Sequence, residues 1–228
     1  MDITPVAIFH SPFSSKFGIP KQSGVVKSLK GRIVFLPQYR STIAIRGMEG
    51  FDYLWLIWGF SANKHAGDSL TVRPPRLGGN RRMGVFATRS PYRPNSLGLS
   101  SVRLTGVDYE APEAPVLLVE GGDLMDGTPI YDIKPYLSYC DSHPEAKGGF
   151  TDTTTWPRLK VFVPEMLAQL FTADELAALK EVLAQDPRPS YQNNPTRQYG
   201  MVFAGRDIRF VVNNEGVQVV EVLRQTHF

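Results

Sequence analysis

Between Ser69 and Val107 the chain carries seven arginines, Arg73, Arg76, Arg81, Arg82, Arg89, Arg93 and Arg103, and no acidic residue. An all-arginine set favours forked contacts to phosphate or carboxylate over diffuse positive charge. The rest of the chain holds 18 basic against 22 acidic residues, so positive charge is concentrated in this block. A solvated surface with internal ion pairs is one reading of it. A block without carboxylates of its own is better suited to an anionic ligand or a nucleic acid.

Three loops hold the remaining chemistry. Phe17 to Gly24 combines Gly and Pro with the donors Lys21 and Gln22; taken alone it serves a structural role as readily as a binding one. The second runs from Arg73 through TVRPPRLGGN into GVFATRSPYRPNSLGLS. Proline stiffens it, glycine permits close backbone approach, and arginine recurs throughout, more of all three than an ordinary strand connection needs. The third, Leu124 to Tyr136, contains Asp126-Gly127-Thr128-Pro129. That is a good turn by itself, and one whose carboxylate and backbone groups could face a ligand.

Other chemistries are absent from the pattern. No strand leads into G-x-G-x-x-G, and there is no P-loop, H-E-x-x-H or G-x-S-x-G. His10, His65, His143 and His227 are scattered without ligand spacing, so no metal is expected. The single cysteine, Cys140, excludes a disulfide framework and reads as structural. No apolar run approaches the ~18 residues of a membrane span. The opening MDITPVAIFHSPF lacks the pattern of a secretory signal, and a cytoplasmic protein is expected.

The elements that must position these loops are mostly strands. Ile3 to Phe9, Arg32 to Leu36, Leu54 to Phe60, Met83 to Thr88, Leu97 to Tyr109 and Pro115 to Glu120 are short runs rich in β-branched and aromatic residues, punctuated by Gly, Pro, Asn and Asp. Strands at this spacing predict a barrel or sandwich rather than a doubly wound α/β sheet. The polar stretch from Asp141 to Pro157 reads as a linker or mobile loop. Thr172-Ala173-Asp174-Glu175 is a capping box, Phe171 and Leu176 form a hydrophobic staple, and Leu176, Leu179 and Leu183 continue a helix that Pro187 ends. Asp207 to Val212 and Val217 to Val222 flank a hairpin turn at Asn213 to Gly216. The expected division is residues 1–140, a linker at 141–157, and a small α+β unit at 158–228.

TVRPPRLGGN, GVFATRSPYRPNSLGLS, DGTPIYDIKPY and AQDPRPSY, in this order, resemble the TrmO family with its TsaA-like domain. The resemblance covers essentially the whole chain. It implies a mainly β protein, a single-sheeted β-barrel methyltransferase domain with a small α+β C-terminal domain. It further implies dependence on S-adenosylmethionine, N6-methylation of threonylcarbamoyladenosine at tRNA position 37, and a homodimer with the cofactor near the subunit interface. By the same resemblance the cofactor contacts are Pro20, Lys21, Gln22, Ser61, Ala62, Arg89, Leu99, Asp126, Gly127, Thr128 and Pro129. Arginine is common in the family where Lys21 stands, histidine is frequent near Ser61 and Ala62, and Ser96 replaces a usual proline.

Methyl transfer to nitrogen calls for in-line approach more than for a strong nucleophile, so positioning supplies most of the acceleration. The attacking nitrogen must also lose a proton, and Asp126 is the loop carboxylate expected to accept it or orient the nitrogen. Seven arginines exceed what one cofactor carboxylate uses; Arg76, Arg81, Arg82 and Arg93 are the expected RNA contacts, suited to an open anticodon loop. Two other readings stand beside this one. A non-catalytic RNA-binding β-barrel predicts RNA affinity without cofactor, and a methyltransferase of the same fold acting on a small molecule or protein predicts no dependence on tRNA.

Overall fold

The computed structural model describes residues 2–63, 69–77, 81–154, 157–188, 192 and 194–224. In chain order its strands are β1 (Ala7–His10), β2 (Lys30–Phe35), β3 (Tyr53–Gly59), β4 (Thr71–Val72), β5 (Met83–Gly84), β6 (Leu97–Asp108), β7 (Val116–Glu120), β8 (Thr128–Pro135), β9 (Val161–Phe162), β10 (Gln198–Phe203), β11 (Arg206–Asn213) and β12 (Gly216–Arg224). The helices are α1 (Ser138–Asp141), α2 (Glu165–Ala168) and α3 (Ala173–Ala184).

Six strands pair in the order β1-β2-β7-β6-β3-β8, and β8 pairs back to β1, so the sheet closes on itself as a barrel. Every neighbouring pair is antiparallel. Alternate residues turn inward: Leu54, Leu56 and Trp58 of β3 meet Val102 and Leu104 of β6, Phe9 of β1 and Ile130 of β8 in one core. The inward period on β6 slips because the β6–β7 register shifts between Leu104 and Gly106, which brings Val107 against the same core.

A second core lies between α3 and the sheet β10-β11-β12-β9. Thr172 Oγ1 accepts from the Glu175 amide at 3.2 Å and the Thr172 amide donates to Glu175 Oε2 at 2.9 Å, so the capping box sets the start of α3. Ala178, Leu179, Val182 and Leu183 bury its inner face. This core also takes in Phe13, Val26 and Leu29, with Phe17 and Ile19 packed against it, all from the connection between β1 and β2. The loop that carries Pro20, Lys21 and Gln22 is therefore anchored on both sides in this second core.

Two expected elements take other forms. Only Met83–Gly84 of the run Met83 to Thr88 is strand; it pairs with β4, and Val85–Ala87 turns into a 3-10 helix. The stretch read as a connecting linker includes a 3-10 turn, Gly149–Thr151, whose Gly148 amide donates to Asp152 Oδ2 at 2.7 Å. Among the described residues, no helix is long and apolar enough to cross a membrane.

Candidate functional site

A cleft of about 920 Å³ opens between the β1–β2 loop, the outer ends of β3 and β6, and the arginine loop after β5. Pro20, Lys21, Gln22, Ser61, Ala62, Arg89, Leu99 and Thr128 all line it. These residues come from segments distant in sequence, and one hydrogen bond shows how they are joined: Arg89 Nη1 donates to Gln22 Oε1 at 2.6 Å. The Ser101 amide donates to Ser23 Oγ at 3.2 Å, which ties the same loop to β6. Lys16 Nζ donates to Asn63 Oδ1 just beyond the end of β3.

The floor is aromatic on one side and acidic on the other. Trp58 packs closely against Gly98 of β6, where a Cβ would clash with the indole ring. Phe60 meets Trp58 edge-on, with centroids 4.3 Å apart. Trp58 Nε1 donates to Ser100 Oγ at 3.0 Å, and Ser100 Oγ donates to Asp123 Oδ1 at 2.6 Å. Burial pushes the Asp123 carboxyl above its ordinary value; the Ser100 hydroxyl, amides of Asp123 and Ser23, and the Arg89 charge pull the other way. Leu99, 58% exposed, stands outward on the rim.

Asp126, Gly127 and Pro129 are not among the residues lining this cleft. Asp126 is exposed, accepting from His10 Nδ1 at 3.0 Å and from the Ser11 amide at 3.1 Å. The Asp126 amide donates to Phe13 O and the Gly127 amide to Phe9 O, so this turn is fastened to β1 and to the start of the β1–β2 loop. From that turn it is Met125 and Thr128 that reach the cleft, with Thr128 Oγ1 donating to Met125 O at 2.7 Å.

A second, wider cleft of about 1,710 Å³ adjoins the first and shares Lys21, Gln22, Phe86, Thr88, Arg89 and Pro91 with it. Arg73, Arg82, Tyr92 and the Gly149–Thr151 turn complete its wall, and no carboxylate is among the described lining residues. Phe86 is 76% exposed there. The arginines divide by role. Arg82 Nη1 donates to Thr71 Oγ1 at 2.9 Å and braces the β4–β5 pair. Arg93 Nη1 donates to Thr88 O at 3.1 Å and lines the first cleft, not the second. Arg103 faces Glu120 across β6 and β7 at 3.5 Å and belongs to the barrel wall. Arg81 is exposed. The Arg76 side chain and Gly78 to Asn80 lie outside the described residues.

The family model described as the tRNA-methyltransferase O N-terminal domain matches residues 8–142, and that of the TrmO C-terminal domain matches residues 157–225. The chain belongs to the TrmO family. A tRNA (adenine(37)-N6)-methyltransferase of Escherichia coli is 38% identical over 222 residues, 94% of each chain. A Pseudomonas aeruginosa relative, also 38% identical and aligned over 91% of each chain, carries S-adenosylmethionine-dependent methyltransferase in its name. The crystal structure of a P. aeruginosa TrmO superposes with a TM-score of 0.79 at 31% identity, covering 99% of this chain and 97% of that one.

The TrmO resemblance pointed to the cleft-lining loops but not to Asp123, which stands three residues before the Asp-Gly-Thr-Pro segment in a Gly-Gly-Asp-Leu stretch that does not mark it out from Asp126. Its importance depends on Ser100 and Trp58, which only folding brings near. Among the described residues no group of three His, Cys, Asp or Glu side chains could hold a metal ion.

Proposed function

We propose that the protein transfers a methyl group from S-adenosylmethionine to N6 of adenine 37 in tRNA, that its substrate nucleoside is threonylcarbamoyladenosine, and that it acts without metal as a cytoplasmic homodimer. The observation that carries this reading is the continuity of the two clefts through Lys21, Gln22 and Arg89. One cleft has the size and the mixed apolar and charged lining of a small-molecule site. The other is cationic and aromatic.

The cofactor supplies an electrophilic methyl group on a sulfonium. Its carboxylate suits Arg89 and Lys21, and the Trp58 and Phe60 rings suit its apolar and cationic parts. Phe86 and Tyr92 offer faces on which unpaired bases of an anticodon loop can stack, while Arg73, Arg81 and Arg82 meet phosphates. Asp126, Gly127 and Pro129 serve by shaping the turn that presents Met125 and Thr128. A second subunit over the rim accounts for the outward Leu99.

The test is nucleoside mass analysis after incubating the protein, labelled cofactor and total tRNA from cells lacking the enzyme. Labelled methyl on threonylcarbamoyladenosine is expected. Tight RNA binding without methyl transfer would support the non-catalytic barrel instead. Transfer independent of tRNA would support a small-molecule or protein substrate.

A further inference from the structure

We propose that Asp123 is the group that takes the N6 proton during methyl transfer, held ready by a relay from Trp58 through Ser100. The assignment rests on the methyl-transfer reading of the cleft.

The reaction needs such a group. The lone pair of an exocyclic amine is delocalised into the ring, and methylating it without proton loss leaves a cation. In the balanced step the N6–CH3 bond forms, the sulfonium C–S bond breaks with its electron pair staying on sulfur, and the N6–H proton passes to a carboxylate and then to water.

Asp123 is the one carboxylate among the described residues that line the cofactor cleft. The direction of its hydrogen bonds is set by chemistry. An indole N–H can only donate, so Ser100 Oγ accepts from Trp58 at 3.0 Å and gives its single hydrogen to Asp123 at 2.6 Å. Ser100 is 1% exposed and Trp58 7%, so the relay is shielded from competing water. The chain of donors thus ends on a carboxylate that accepts, with capacity remaining for one more proton. Three separate elements, β3, β6 and the turn before β8, converge on that point. By contrast, Asp126 is exposed and engaged with His10 and the Ser11 amide, away from the cleft lining.

Burial also raises the proton affinity of Asp123, which makes it a stronger base than a surface carboxylate. The charge acting on it comes from Arg89 of the arginine loop; its neighbours from β3, β6 and the β1–β2 loop, Trp58, Ser100 and Ser23, are uncharged. Lys16, Lys21 and Arg93 line the same cleft. Trp58 and Ser100 are positioning residues in this scheme.

The experiment compares wild type with Asp123→Asn, Asp123→Glu and Ser100→Ala. Single-turnover methylation is followed across pH, alongside calorimetric cofactor binding and difference infrared titration of the protonated carboxyl band. Asp123→Asn is expected to bind cofactor within threefold of wild type, lose methylation by about 10²–10⁴-fold, and lack the band. The acid limb of the wild-type rate profile should track that band. Ser100→Ala should move both to higher pH, because a donor to the charged form is gone; this arm decides the matter if Asp123→Asn fails to fold. Asp123→Glu should retain part of the rate with the limb displaced. Near-wild-type turnover in Asp123→Asn, or a limb that ignores Ser100→Ala, overturns the assignment. Failure of the methyl-transfer reading shows instead in wild type, as no label reaching tRNA.

Discussion

Gly18 of the β1–β2 loop lies flat against the Met201 side chain of β10, at a backbone φ of +93°, so close that a Cβ would fall within contact of the methionine sulfur. This contact joins the loop bearing Pro20, Lys21 and Gln22 to the C-terminal core. Loop and sheet share that core through Phe13, Val26 and Leu29. The C-terminal unit thereby acts as a brace for one wall of the cleft lined by Pro20, Lys21 and Gln22.

Gly18→Ala should therefore weaken cofactor binding severalfold as well as lowering stability. The flexible Met201 can yield, but the left-handed backbone remains, at a cost of about 1–2 kcal/mol. Melting should fall by roughly 2–8 °C. Met201→Ala combined with Gly18→Ala should relieve the crowding without restoring wild-type stability. Calorimetry showing unchanged cofactor affinity in a destabilised Gly18→Ala protein would argue that the brace is structural alone.

Much of the barrel is legible in the chain, and the exceptions have physical causes. The run Leu54 to Phe60 reads as a strand because it is continuously apolar, and folding sorts it into inward Leu54, Leu56 and Trp58 and outward Trp55 and Ile57. β8 is hidden behind its own turn chemistry: Asp-Gly-Thr-Pro signals a bend, and Asp132, Lys134 and Pro135 interrupt the alternation beyond it. β10 alternates cleanly through Tyr199, Met201 and Phe203, yet no turn signal announces its hairpin. The turn is Ala204-Gly205, both at positive φ, and alanine is a rare choice there. At the site, loop residues are recognisable by type, but the Arg89–Gln22 bond spans 67 positions and leaves no mark in the sequence.

Arg89→Ala should cripple methylation without unfolding the protein. Arg89 is exposed and its side chain bonds to Gln22, so little core depends on it. Losing a charge-assisted contact costs about 1.5–3 kcal/mol, roughly tenfold to a hundredfold in affinity. Gln22→Ala should reproduce a smaller part of this effect by releasing the guanidinium. Wild-type turnover of Arg89→Ala at sub-saturating cofactor would refute its place in the site.

Asp141 gives a pH signature. It accepts from the Leu137 amide at 2.9 Å and from Trp55 Nε1 at 2.8 Å, and these bonds hold its carboxyl below the ordinary value. A depressed folded value means stability that is present above the unfolded value and lost as pH falls through the folded one. Asp141→Asn should thus be less stable than wild type near neutral pH, with the gap closing in acid. Asp123, raised by burial, has the opposite sign, its contribution fading as pH rises through the folded value. Urea melts of wild type and Asp141→Asn at several pH values make the comparison. A gap independent of pH would mean that the carboxylate charge plays no part.

Charge reversal at Arg81 and Arg82 together should raise the tRNA KM and flatten its salt dependence while cofactor affinity stays put. Arg82 lines the wide carboxylate-free cleft and Arg81 is exposed at the start of the segment leading to β5, whereas neither lines the cofactor cleft. Each phosphate contact on a single strand contributes about −0.7 to the log–log salt slope, so two lost contacts should flatten it by roughly 1.4. Arg82 also holds Thr71, so Arg82→Gln serves as the control: it removes the charge while leaving an amide that can still reach the hydroxyl. Methylation kinetics across a salt series distinguish the outcomes. Identical slopes and KM values in wild type and the charge-reversed protein would make these arginines structural and move the RNA surface elsewhere, with Arg206 and Arg209 on β11 the next to test.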